Sequence, residues 1–259
     1  MTQEDKRLFY YYRDYYLTAL GIPKWYDYVR ARLEQNETYL LKIRRLLNDI
    51  GFNGEVSHFS ALVVGCGTGA ETSALTSFGF GEVAGVDSSY EAIQICLSRR
   101  LPHQDYLQCC AESIPLPAQS FDYIHCYTVR EHVEDPEKCL CEIKRLLKPH
   151  GTAYVSLPNY NHIFEGHYKV ILPLFLGKRL CKFFLRLYRR PTQFLASLSF
   201  LTPRDVSHLL NKVGFTSFKL VELSPSRKIS LRYLLSKQSL SIAFTKVTGI
   251  GMMQEWLLH

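Results

Sequence analysis

The chain has 259 residues, 47% of them apolar, and carries 31 Lys or Arg against 24 Asp or Glu, a formal net charge of +7. That is ample material for one large core, or one core with appendages, and it excludes a disordered or low-complexity chain. No apolar run approaches the roughly eighteen residues that span a bilayer, and the polar, tyrosine-rich start does not read as a secretory leader.

Residues 1–55 are predicted to be helical. Tyr10, Tyr11, Tyr12, Tyr15 and Tyr16 cluster ahead of Gly21-Ile22-Pro23, and Trp25, Val29, Leu33, Leu40, Ile43, Leu46 and Leu47 recur at helical spacing. Asn53-Gly54 marks a turn. Beyond it, short apolar runs at about 60–65, 82–87, 105–110, 121–127 and 152–157 read as strands, with helices at about 69–78, 89–100 and 136–147 between them. This alternation specifies a parallel sheet covered on both faces and joined by right-handed crossovers. The rhythm breaks over 158–200, an insertion with a helix expected at about 171–190. It resumes with a helix opened by Thr202-Pro203-Arg204-Asp205 and ended by Gly214, then strands at 215–223 and about 239–246. The tail, 249–259, is expected as a short helix.

Within the first strand-helix-strand unit, Leu62-Val63-Val64-Gly65-Cys66-Gly67-Thr68-Gly69 is an apolar strand ending in glycines at alternate positions. Gly85-Val86-Asp87 is a second strand ending in an acid. Together they make a nucleoside-binding half-site: the glycines let the backbone approach a ligand with no Cβ in the way, and the carboxylate accepts hydrogen bonds from ribose hydroxyls. Gly65, Gly67 and Ala70 also satisfy the looser G-x-G-x-x-A pattern of dinucleotide sites, so the turn alone does not choose the cofactor.

The motifs that follow do choose. Ala111-Glu112-x-Ile114-Pro115, Phe121-Asp122, Glu131-His132-Val133-x-Asp135-Pro136 and Leu147-Lys148-Pro149-x-Gly151 come after the glycine turn and Asp87. With them, the chain resembles the class I S-adenosylmethionine-dependent methyltransferases, of the small-molecule type that includes ubiquinone-biosynthesis C-methyltransferases. The resemblance runs from about 61 to 158, and more loosely to 223. It implies an α/β, Rossmann-like fold: a seven-stranded, mostly parallel sheet with helices on both faces, an N-terminal helical lid and a helical insertion after strand five. The expected division is a lid over 1–55, a cofactor-binding core over 56–223 that includes the insertion 158–200, and a strand and helix over 224–259 that complete the core.

The same resemblance implies S-adenosylmethionine as cofactor and assigns its contacts. Gly65, Cys66, Gly67, Thr68 and Gly69 would hold the methionine end, Asp87 and Ser88 the ribose, and Ala111 and Glu112 the adenine. Tyr127 would lie at the strand end beneath the sulfonium. Two positions depart from the family. Val63 stands where an acid usually fixes the methionine end, and Cys110 stands where many relatives place an aspartate against the adenine amino group. Each missing hydrogen bond to a charged group costs about 1.5–3 kcal/mol.

Methyl transfer is a displacement at carbon with a good leaving group, so the protein mainly aligns and desolvates the nucleophile. A hydroxyl acceptor would gain from a base within reach. Residues able to serve lie beyond strands four and five: Arg130, Glu131, His132, Tyr160, His162, Glu165 and His167. His167, Glu165 and His162 are the catalytic candidates, with His167 first; pinning of their loop is the competing role. No metal site is expected from them, because the spacing is undiagnostic. Glu131 also suits a helix start by charge alone. Tyr15, Tyr16, Trp25, Arg130 and Tyr160 are candidates for an acceptor pocket, and ordinary aromatic packing serves the rings equally well.

Charge is uneven along the chain. Lys169 to Lys237 holds fourteen Lys or Arg against two acids, Asp205 and Glu222, which points to an anionic partner or a solvated basic surface. The 171–190 helix interleaves cations with Leu and Phe, a composition that can cap a pocket or lie in a membrane interface. Nucleic acid is disfavoured as a partner: Tyr127-Thr128-Val129-Arg130-Glu131 follows strand four, not the Asn/Asp-Pro-Pro-aromatic turn of base methylases. The eight cysteines, two of them the adjacent Cys109 and Cys110, lack a zinc spacing and read as free thiols of a reducing compartment. A cytoplasmic location is therefore expected, with peripheral membrane contact open. Two functions stand: methyl transfer to a small or lipid-like acceptor at oxygen or carbon, and a cofactor-binding regulator that transfers nothing.

Overall fold

A computed structural model describes residues 2–34, 36–129, 133–220 and 253–259. Helix α1 (Gln3–Arg13) is opened by a reciprocal cap: Thr2 accepts from the Asp5 N–H while Asp5 accepts from the Thr2 N–H. It runs into a π-helical stretch, Asp14–Ala19, and is followed by α2 (Trp25–Glu34) and α3 (Asn36–Asp49). The core then alternates β1 (Ser60–Val64), α4 (Ala70–Phe78), β2 (Glu82–Asp87), α5 (Tyr90–Ser98), β3 (Gln104–Gln108), β4 (Phe121–Tyr127), α6 (Pro136–Leu146) and β5 (Leu147–Pro158). The insertion holds a short hairpin, β6 (Phe164–Glu165) with β7 (Val170–Ile171), and then α7 (Lys178–Leu187) and α8 (Gln193–Ser197). Helix α9 (Pro203–Val213) and strands β8 (Phe218–Leu220) and β9 (Met253–Leu258) complete the fold.

The sheet order is β3-β2-β1-β4-β5-β9-β8. β1 to β5 are parallel, whereas β9 pairs antiparallel with both β5 and β8. The chain reverses direction across the sheet between β1 and β4, where open parallel sheets leave a crevice at the carboxyl ends of the strands. Both faces are covered. Leu62, Val64, Ile124 and Cys126 pack under α6 and α9, while Ala61, Val63, Tyr123 and Tyr154 pack under α3 and α4. Such two-sided burial explains why β1 is an unbroken apolar run and not an alternating one. Each fully buried aliphatic side chain of this kind contributes about 1.5–3 kcal/mol.

Three expectations are corrected. The tail is a strand: Gln254, Trp256 and Leu258 are buried in alternation, and their backbone fills the slot beside β5 that a helix would leave unpaired. The insertion helix spans Lys178–Leu187 only. Val170 and Ile171 pair in the hairpin, and Gly177, at φ +85°, breaks the backbone before α7. β5 begins at Leu147 instead of at 152, because Leu147 pairs with Phe121 across a register shift. The strand predicted at 239–246 lies outside the described residues. All eight cysteines are free thiols. Among the described residues no helix is long and apolar enough to cross a membrane.

The N-terminal helices divide in two. α3 joins the core layer beside α4, burying Ile43, Leu46 and Leu47. α1, the π-helical stretch and α2 pack instead against the insertion: Tyr16, Leu20, Ile22 and Val29 share a third cluster with Tyr160, Tyr168, Leu174, Cys181, Leu185 and Leu195.

Candidate functional site

The turn between β1 and α4 is a backbone structure that few sequences can adopt. Gly65, Gly67 and Gly69 all have positive φ, +70°, +51° and +86°. At Gly65 a Cβ would lie 2.1 Å from Val129 Cγ2, so the close approach of the two segments also demands glycine. At Gly69 it would lie 3.0 Å from the Tyr106 hydroxyl and 3.1 Å from Cys96 Sγ. Beneath the turn the Cys96 thiol donates to the Gly67 carbonyl at 3.2 Å. Its neighbour Cys66 is held well above the ordinary thiol range, first by hydrogen bonding with Cys96 and then by burial. Cys66 is therefore a neutral, buried wall of the turn.

Asp87, at the end of β2, locks this turn from the side. Its Oδ2 accepts from the Gly67 N–H at 2.9 Å and its Oδ1 from the Ser89 N–H at 2.8 Å. The same carboxylate faces a cavity of about 620 Å³ lined by Gly65, Asp87, Ser88, Ala111, Glu112, Val129 and others. The volume is within the usual range for small-molecule sites, roughly 300–1,000 Å³. Its walls come from the ends of β1, β2, β3 and β4, the crevice that the strand order dictates. Thr128, on the cavity lip, is β-branched yet sits at φ +53°, held by its N–H to the Ser156 carbonyl at 2.8 Å. Strain of this kind concentrates at functional sites.

The far wall is the start of α6. Asp135 caps it, accepting from the Glu137 and Lys138 N–H groups at 3.1 Å each, and these donors hold its carboxyl below the ordinary range. Glu112 spans the cavity floor toward it: Oε1 accepts from the Glu134 N–H at 2.9 Å. Glu112 is thus also a brace for the loop before α6. Cys109 and Cys110, just after β3, line the same cavity.

The lid reaches the turn through residues that sequence reasoning did not single out. Tyr12 and Thr68 hydroxyls meet at 2.7 Å, and Tyr11 lies against Ser89 and Asp87. Burial and the nearby Asp87 charge push the Tyr11 phenol up to about 12. The tyrosine run was visible, but only the helix α1 register decides which of its rings face the turn. A smaller cavity of about 350 Å³ lies on this side, lined by Tyr12, Arg32, Thr68, Gly69 and Tyr106.

Of the acceptor-pocket candidates, Tyr15 lines the larger cavity and meets Phe194 of α8 edge-on at 5.8 Å. Tyr16 is buried in the third cluster, where its hydroxyl accepts from Arg32 Nε at 3.0 Å. Trp25 packs edge-on against Phe9, and Tyr160 stacks on Phe200 at 4.3 Å. Arg130, Glu131 and His132 lie outside the described residues. Tyr127 points to the α3 face, under the Lys42 ammonium at 4.2 Å, and is not among the cavity-lining residues.

The three catalytic candidates separate clearly. His162 is fully buried and its Nδ1 accepts from the Phe164 N–H at 3.0 Å, which ties it to the hairpin. Glu165 is buried too: Oε2 accepts from the Tyr168 N–H at 2.6 Å and Oε1 lies 2.7 Å from His167 Nδ1. His167 packs on Phe194 at 5.2 Å, and Phe194 lines the cavity. The pair therefore sits one ring behind the cavity wall.

Comparison with known proteins agrees with this architecture. Residues 62–155 match the family model described as a methyltransferase domain. The chain carries a methyltransferase domain. Over 219 residues the methyltransferase is 26% identical to a demethylmenaquinone methyltransferase of Staphylococcus aureus, covering 77% of this chain and 84% of the relative. A second such protein, from another strain, is 29% identical over 179 residues, 62% of this chain and 69% of the relative. Among solved structures, a SAM-dependent methyltransferase of Thermotoga maritima matches with a TM-score of 0.56 at 22% identity, over 90% of this chain and 94% of that one. One from Mesorhizobium loti matches with a TM-score of 0.58 at 16% identity, over 85% and 98%. At these identities the solved structures speak to the fold.

Proposed function

We propose that the enzyme methylates a lipid-like, quinone-type acceptor, with the cofactor held in the cavity between the glycine turn and α6. The observation that carries this reading is the Asp87 carboxylate, which braces Gly67 and Ser89 while facing a cavity of about 620 Å³. Gly65 to Gly69 would hold the methionine end, Asp87 and Ser88 the ribose, and Ala111, Glu112 and Cys110 the adenine side. When bound, S-adenosylmethionine supplies the methyl group on a sulfonium that needs no activation by the protein. The chain's own work is to align the acceptor and to keep water away.

Tyr15 and Phe194 supply the apolar roof for that purpose. A flat aromatic acceptor stacks well on such rings. Glu165, by accepting from His167 Nδ1, leaves Nε2 as the basic nitrogen of the neutral ring. His167 would then take the proton that a quinol or ring carbon loses through a bridging water, because Phe194 keeps its ring out of direct hydrogen-bond reach of the cavity. The acceptor class comes from the related enzymes' name and from the apolar, aromatic roof.

Calorimetric titration with S-adenosylmethionine and its demethylated product tests the first half. Transfer of labelled methyl to demethylated isoprenoid quinols tests the second, with label expected in the lipid fraction. Cofactor binding with no label in any lipid fraction would remove the acceptor assignment.

A further inference from the structure

We propose that the outer face of α7 and the turn before it dock the methyltransferase onto an anionic lipid bilayer. The helix is divided into three stripes. Cys181 and Leu185 point inward to the third cluster. Leu180, Phe183 and Leu187 recur at helical spacing and are exposed, Phe183 by 54% and Leu187 by 64%. Arg179, Lys182 and Arg186 recur at the same spacing beside them. At about 100° per residue, the apolar and basic stripes lie on either side of the pole that faces away from the core. Phe175 and Leu176, each exposed by 56%, extend the apolar patch into the turn.

Charge selects the occupant. Residues 166–204 contain eight Lys or Arg and no acid, so a second copy of this face would be repelled. The exposed rings and leucines stand on the outer side of a helix and line neither cavity, which suits insertion between lipid headgroups. Cations beside an apolar stripe are what an anionic leaflet attracts. The face also belongs to the roof: Leu185 and Leu195 share the cluster whose Tyr168 ring meets Phe194 at 6.0 Å, and Phe194 lines the cavity. Docking there would bring the roof to the phase that holds a lipid-like acceptor, a consequence that rests on the proposed acceptor.

The test is flotation of the full-length enzyme with vesicles of phosphatidylcholine alone and with about 30% phosphatidylglycerol added. The wild type should float with the anionic vesicles and lose at least about tenfold in binding at about 1 M salt. Phe183→Ser with Leu187→Ser, and separately Arg179→Gln with Arg186→Gln, should each weaken binding at least about fivefold. Titration of each variant with the demethylated cofactor should match the wild type, since all four side chains are exposed and remote from the glycine turn. No flotation by a wild type that binds cofactor overturns the docking and leaves the methyltransferase reading intact. Equal flotation by the serine variant overturns it too, in favour of a purely electrostatic surface for an acidic protein. A dimer abolished by the serine substitutions would overturn it in favour of self-association.

Discussion

The cradle and the roof meet at one cavity but are built on different terms. The cradle, from β1 through α4 to the end of β2, is made of backbone: three glycines at positive φ and a carboxylate that grips two N–H groups. The roof, from the lid and the insertion, is made of side chains: Tyr15 on Phe194, Phe194 on His167, and the Arg190 guanidinium on the Gly21 carbonyl. A backbone cradle tolerates almost no substitution, because its glycines hold left-handed φ and at Gly65 and Gly69 an added Cβ also meets another segment. A side-chain roof can exchange one ring for another and so admit different acceptors. On the proposed function, cofactor recognition belongs to the cradle and acceptor choice to the roof.

The sharpest way to break this division is Gly65→Ala. A Cβ 2.1 Å from Val129 Cγ2, at φ +70°, forces the turn apart. Strain and overpacking of about 3 kcal/mol in all should weaken cofactor binding by about two orders of magnitude in calorimetry. An affinity within about threefold of wild type would show that the turn is not the cradle.

Acid should strike the sheet beneath the cradle before the roof. His125 of β4 is buried, with its Nδ1 3.0 Å from the Tyr123 hydroxyl, and burial lowers its pKa to about 3. The unfolded chain takes a proton at His125 near the ordinary value of 6.5, the folded chain only near 3. Unfolding free energy should therefore fall by up to about 1.4 kcal/mol per pH unit as pH drops below 6.5. Urea titrations of wild type and His125→Phe between pH 7 and pH 4 measure it, and equal slopes for the two proteins would refute it.

Asp87→Ala comes next. Loss of the carboxylate releases Gly67 and Ser89 and should weaken S-adenosylmethionine binding by at least about tenfold, the worth of one charge-assisted hydrogen bond. Unchanged affinity would move the ribose contact elsewhere. His167→Ala should reduce turnover about tenfold while cofactor affinity stays within about twofold, since the residue belongs to the roof. Equal turnover would leave His167 as a loop pin only. The smallest effect is expected from Tyr12→Phe, which removes the hydroxyl contact with Thr68 across the two regions. It should cost about 1 kcal/mol of stability, or about fivefold in cofactor dissociation rate.

Much of the cradle was legible in the chain. The spacing of Gly65, Gly67, Gly69 and Asp87, the strand rhythm and the helix start at Thr202-Pro203 are rules of φ angles and short periods, acting within a few residues. The roof was legible only as a composition. Five tyrosines stood near the start, yet Tyr11, Tyr12 and Tyr15 reach the site while Tyr16 is buried behind it. His162, Glu165 and His167 stood within six residues of one another, yet the hairpin commits His162 to its own backbone.

The sequence by itself determined the parallel sheet, the half-site and the excess of positive charge after residue 166, because local backbone geometry and charge do not depend on what packs nearby. Tertiary structure alone decided that the tail is a strand, that Phe194 meets Tyr15 some 180 residues away, and that α7 buries Cys181 and Leu185 while leaving Phe183 and Leu187 exposed. Those outcomes rest on contacts between segments far apart in the chain. Which ring of an aromatic cluster is buried depends on the partner surface, and no short-range preference encodes that surface.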